Sequence, residues 1–228
     1  MSETTAWLTA FGWGRRFLSG IRLLFCSRDL IDWGVRRGVG ALPNVRFRQG
    51  VAVTGLLADG GGRTVEGVQL GTSHGEKPAA DLVAVTDGRS SRLPGWLVAL
   101  SHAAPAQTVV KLFLGYASRL YRPPRGFRPG WKHLYVQPAP PGETRGGSVF
   151  AIEGGRWLVT LVGGGGDYPP TEETRFLDFA RQLRVCVANA LDRVLQVHRG
   201  VACIGLRSVD RNPRGNSRRV LTGKQRHQ

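Results

Sequence analysis

Apolar positions along the chain repeat with two periods, and the switch between them marks the elements. Leu30, Ile31, Val35 and Val39 recur at helical spacing while Arg28, Asp32, Arg36 and Arg37 fall between them, which predicts an amphipathic helix. Ser27 is its N-cap and Asp29 puts a negative charge in its first turn. Gly34 and Gly38 each cost about 1 kcal/mol relative to alanine, so packing must hold it. Leu42-Pro43-Asn44 ends it. Residues 45–49 and 51–57 then read as strands, Asp59-Gly60-Gly61-Gly62 as a turn, and Val65, Val68 and Leu70 as the returning strand of a hairpin. A polar loop over 71–78 leads to a short apolar run at 82–85 that stops at Thr86-Asp87-Gly88. The run predicts a buried strand with a turn at its carboxyl end. Gly88 frees the backbone there, where open α/β sheets bind ligands; Asp-Gly is also a common plain turn.

Further strands are expected at 109–114, 131–136, 148–152 and 157–162, with proline-rich loops between them. A helix capped by Thr171 follows, with Phe176, Phe179, Leu183, Val187, Leu191 and Val194 forming a core-facing stripe. Past His198 the pattern fades into an arginine-rich tail. Residues 1–26 hold Trp7, Phe11, Trp13 and Phe17 and read as an irregular lead-in over the domain. Gly12-x-Gly14 has no third glycine at the required spacing and no clear preceding strand, so it is no dinucleotide loop.

A hydrophobic fraction of 41% suits a globular chain. The net charge of +16 raises nucleic acid or an anionic surface as partner. The arginines are scattered, and the longest basic concentration is the last stretch, where Asp210 is the one acidic residue after Arg199. No nucleic-acid recognition motif accompanies the charge, so specific nucleic-acid binding is not expected. A basic protein that contacts nucleic acid or anionic surfaces through the tail stands as the alternative function. Cys26, Cys186 and Cys203 form no metal spacing and read as reduced core thiols. With no apolar stretch of transmembrane length and no secretory pattern at the start, a cytoplasmic location is expected. The five histidines show no paired-ligand spacing, no Gly-x-Ser-x-Gly elbow occurs, and the glycine runs lack a P-loop lysine. The residues therefore name no catalytic group and no metal site.

Ser27 and Arg28 opening a helix, the glycine-turned hairpin, Ala80-Asp81-Leu82-Val83 and the Gly88-Arg89-Ser90-Ser91-Arg92 turn together resemble FAD-dependent oxidoreductases. The nearest group is the monooxygenase and geranylgeranyl-reductase-like set with the para-hydroxybenzoate hydroxylase type of fold, over residues 15–180. The resemblance implies an α/β fold of α+β character. A partial, Rossmann-like FAD-binding domain lacking its N-terminal βαβ unit would span 1–100. An antiparallel substrate-domain sheet with a helix would span 101–198, and a basic, disordered tail 199–228. It further implies FAD as cofactor, with NAD(P)H as reductant and a small-molecule substrate. Asp87 and Gly88 would contact FAD and the nicotinamide cofactor, as in the hydroxylase branch, and Arg28 would lie near the flavin. The reductase-like branch, with Asp-Ala-Thr-Gly-Arg-x-Ser, supports Gly88, Arg89 and Ser91 but has aspartate where Val85 stands. No Gly-x-Gly-x-x-Gly loop precedes residue 27, and no Gly-Asp motif follows residue 185 in a strand-to-helix context. The expected function is therefore a truncated or partial FAD-dependent oxidoreductase. It would be unable to hold FAD, and inactive, as an isolated chain. A complementing polypeptide would carry the missing loop, and the sheet edge it leaves would be exposed.

Overall fold

The computed structural model of the chain describes residues 4–88, 90–123, 126–184 and 203–204. Two compact units emerge, Met1–Val35 with Val110–Gln228, and Arg36–Val109. The content is mixed α/β, with one mixed sheet and one antiparallel sheet. The helix stripe residues Val187, Leu191 and Val194 and the basic tail lie outside the described residues.

The first unit is built on seven strands: β1 (Thr5–Thr9), β2 (Gly12–Trp13), β5 (Gly115–Tyr121), β6 (His133–Val136), β7 (Arg145–Ile152), β8 (Arg156–Gly163) and β9 (Cys203–Ile204). Their order is β2-β1-β6-β7-β8-β5-β9. The β1–β6 pair is parallel and every other neighbouring pair is antiparallel. Strand alternation divides the side chains between two faces. Ala6, Leu8, Leu134, Val136, Val149, Val159 and Leu161 point to one side, where they meet Phe176, Phe179 and Ala180 of helix α3 (Glu173–Arg181) and Leu183 just after it. Phe176 has no exposed surface, a burial that stabilises by about 1.5–3 kcal/mol.

One polar residue joins this core. Arg119 on β5 is 5% exposed. Its guanidinium lies over the Phe176 ring at 5.9 Å, donates to the Thr171 carbonyl at 2.9 Å and pairs with Glu173 at 3.2 Å. The cap of α3 is Glu172 rather than Thr171: its carboxylate accepts from the Thr174 and Arg175 N–H groups, both at 2.9 Å. Charge-assisted acceptance outcompetes a hydroxyl there, and these bonds hold the Glu172 carboxyl below its ordinary range.

The second unit holds the antiparallel hairpin β3 (Val53–Ala58) and β4 (Val65–Leu70), and helix α2 (Leu93–Ala99). The Asp59 carboxylate closes the hairpin by accepting from Arg63 N–H at 2.7 Å, while Gly62 takes a left-handed φ of 68°. Helix α1 (Arg28–Gly40) runs across the division between the units. Ser27 caps it as expected, with Oγ accepting from Leu30 N–H at 3.2 Å.

Five further expectations are corrected. Residues 5–13 are ordered sheet strands, because Ala6 and Leu8 alternate into the core and β1 finds β6 as a partner. Residues 45–49 and 82–85 form no strand; neither has a ladder partner among the described residues, and Leu82 is 84% exposed. The strand expected at 109–114 lies later, over β5; Val110 and Leu112 are exposed, whereas Ala117 and Tyr121 are buried. The apolar stripe of α1 is also unburied: the helix forms, yet no residue of it is buried.

Candidate functional site

Arg28, Asp87 and Gly88 are the residues that the sequence singles out. Arg28 opens α1 in the first unit, with Nε 3.5 Å from Asp32 across one helical turn and most of its side chain in solvent. Such an exposed pair is worth little, so the guanidinium can be recruited elsewhere. Asp87 and Gly88 sit together in an exposed irregular turn of the second unit. Gly88 has φ 81°, its carbonyl accepts from Ser91 N–H at 3.0 Å, and no atom lies within 4 Å of where a Cβ would stand. The turn is anchored behind Gly88. Ser91 Oγ accepts from Leu93 N–H at 3.1 Å, and the Arg92 guanidinium donates to the Val53 carbonyl at 2.7 Å and covers the Trp96 ring. A left-handed glycine with open space beside it lets a ligand approach the backbone.

The other candidate surface is the sheet face opposite α3. Strand register assembles it in transverse rows. Trp7, Tyr135, Ser148, Thr160 and Ser118 lie side by side across five strands, and Thr5, His133, Phe150, Leu158 and Leu120 form the next row. No side chain of these two rows carries a formal charge. The Ser118 and Thr160 hydroxyls bond each other at 2.7 Å, and Trp7 Nε1 donates to Gln137 Oε1 at 3.1 Å.

At one end of the face the aromatic groups close together. His133 lies on Phe150 with centroids 4.3 Å apart and planes at 10°, and Phe25 covers both at 5.4 and 5.7 Å. Phe25 belongs to the irregular strap between β2 and α1. The strap is tied to the sheet where Ser27 N–H donates to Glu153 Oε2 at 2.9 Å. Beneath it, Thr5 Oγ1 and both ring nitrogens of His133 are buried without a hydrogen-bond partner. Burial pushes the His133 pKa below its ordinary value and so favours the neutral imidazole.

The sequence leads to a sheet here but singles out no residue of this face. Alternation along His133-Leu134-Tyr135-Val136 holds the signal, since a buried Leu134 and Val136 require His133 and Tyr135 to face the other way. Among the described residues, no group of three His, Cys, Asp or Glu side chains is placed to hold a metal ion. No described helix is long and apolar enough to cross a membrane.

No family model matches the chain. The chain is similar to Protein Rv3254 of Mycobacterium tuberculosis (strain ATCC 25618 / H37Rv), with 30% identity over 155 residues. The match takes in 63% of this chain but 31% of the relative, so the chain spans about a third of the length of the curated protein it matches.

Proposed function

We propose that the chain is a partial FAD-dependent oxidoreductase of the monooxygenase or reductase type, insufficient by itself to retain FAD. The observation that carries this reading is the uncharged, half-buried aromatic and hydroxyl face of the seven-stranded sheet. In the fold that the sequence resembles, a sheet face of this kind covers the flavin. Element order after β2 supports the same reading: an Arg28 helix, a glycine-turned hairpin, a Gly88 turn and then the remaining strands of the sheet.

The residues present fit the cofactor in part. Gly88 offers backbone that a flat ring or a phosphate can approach, Arg28 offers an exposed cation, and the sheet face offers a surface that excludes water. The chemistry that FAD would supply there is acceptance of hydride from a reduced nicotinamide, followed by reduction of a double bond or activation of oxygen for hydroxylation. Among the described residues, no helix N-terminus presents glycine-rich backbone N–H groups for the pyrophosphate. The relative's greater length and the exposed apolar side chains Leu30, Ile31, Trp33 and Leu82 support a completing polypeptide that would cover them.

The test is a titration of FAD with the purified chain, followed by gel filtration. Weak, saturable quenching of flavin fluorescence without co-elution is the expected result. A net charge of +16 favours one second reading, contact with nucleic acid or anionic surfaces through the basic tail. Duplex DNA that is not retarded by the chain at low salt would remove it.

A further inference from the structure

We propose that Thr5 and His133, the imidazole covered by Phe25, form a binding subsite for a single hydroxyl or carbonyl oxygen of an uncharged ring compound. The subsite uses none of Arg28, Asp87 and Gly88 and does not depend on flavin.

Three observations converge on it. Thr5 is 7% exposed, and its Oγ1, like both His133 ring nitrogens, is buried without a partner. Thr5 and His133 are register partners on parallel strands and therefore share a face. A buried polar atom left unpaired costs about 1–3 kcal/mol, which an entering oxygen would recover.

The chemistry of the pair selects the ligand. A neutral imidazole presents one donor and one acceptor, and a threonine hydroxyl presents both. Together they satisfy an alcohol or phenol O–H, or a ketone oxygen. They provide no cation for a carboxylate or phosphate, and Trp7, Tyr135, Ser148, Phe150, Leu158 and Leu120 around them carry no formal charge. The flat His133–Phe150 stack at 4.3 Å gives a ring its stacking surface. The Phe25 ring, 5.4 Å from His133, sits on a segment without helix or strand, and its displacement would expose the imidazole.

The experiment titrates the full chain, labelled for NMR, with p-cresol, and with toluene and benzoate as controls; no flavin is present. Saturable shifts of the His133 side-chain resonances and of the β1 and β6 backbone resonances by p-cresol are expected, the backbone set serving for the variants. Toluene and benzoate should bind about tenfold more weakly or less, the scale of one neutral hydrogen bond. Thr5→Val and His133→Phe should each weaken p-cresol about tenfold, while Phe25→Ala retains binding and speeds exchange. The proposal is overturned if p-cresol gives no saturable shift. It is also overturned if toluene matches p-cresol on the unmodified chain, a comparison that needs no variant to fold. Equal p-cresol affinity in folded Thr5→Val and His133→Phe would overturn it too, assigning the pair to a structural water. Because flavin is absent, failure here is separate from failure of the flavin titration.

Discussion

The His133 imidazole lies flat on the Phe150 ring, 4.3 Å between centroids and 10° from parallel, with burial holding it neutral. Its folded pKa lies below the unfolded value, so the unfolded chain takes up the proton first as pH falls. This stability contribution is complete above the unfolded pKa of about 6.5 and is lost as pH drops from there through the folded pKa. Urea midpoints measured at falling pH should decline in this window for the unmodified chain. The decline should be shallower in His133→Phe; parallel curves would show that the imidazole is not the titrating group.

The strap depends on Glu153. Hydrogen bonds from the Ser27 hydroxyl and backbone N–H hold its carboxyl below the ordinary range, with Arg156 3.0 Å away adding to the effect. The tie is therefore present above about pH 4.3 and weakens as pH falls through the lower folded pKa. Glu153→Ala should accelerate tryptic cleavage after the exposed Arg22 at neutral pH, read by mass spectrometry of timed digests. An unchanged cleavage rate would mean that the strap is held elsewhere.

Two ion pairs on α3 differ in burial and should differ in energetic weight. Arg119 is 6% exposed in its side chain against Glu173, whereas Arg181 and Asp178 are each more than half exposed. Removing one partner of a buried pair costs about 3–5 kcal/mol, and an exposed pair contributes about 0–1 kcal/mol. Arg119→Ala should therefore lower stability by about 3 kcal/mol, and Asp178→Ala by less than about 0.5 kcal/mol. Denaturant titration measures both.

Glycines separate in the same way. A Cβ on Gly163 would run into the Asp167 carbonyl, and one on Gly115 into the Tyr168 ring, so Gly163→Ala should cost about 1–3 kcal/mol or prevent folding. Gly34 in α1 has no atom within 4 Å of a Cβ position, and Gly34→Ala should raise stability by up to about 1 kcal/mol. Thermal midpoints of the two variants should move in opposite directions.

Local pattern revealed α1, the β3–β4 hairpin, β6, β8 and the start of α3, because their side chains follow the period of the element. It failed where a strand carries polar residues inward. Ser118 and Arg119 are buried in β5, satisfied by Thr160, Thr171 and Glu173, and these partners are 42 to 54 residues away in sequence. It failed in the opposite sense at 82–85, where an apolar run lacks the neighbour that would make it a strand. The Gly88 turn was legible from its residue types. Thr5, Phe25 and His133 were not, since strand register and a strap more than a hundred residues away in sequence bring them together.

The flavin titration tests the central claim most directly. With the purified chain, FAD fluorescence should be quenched weakly and saturably, Arg28→Ala and Gly88→Val should weaken the quenching, and no flavin should co-elute on gel filtration. A tight, stoichiometric yellow complex would contradict the incomplete site. Absence of quenching, or quenching indifferent to both substitutions, would contradict the flavin reading itself.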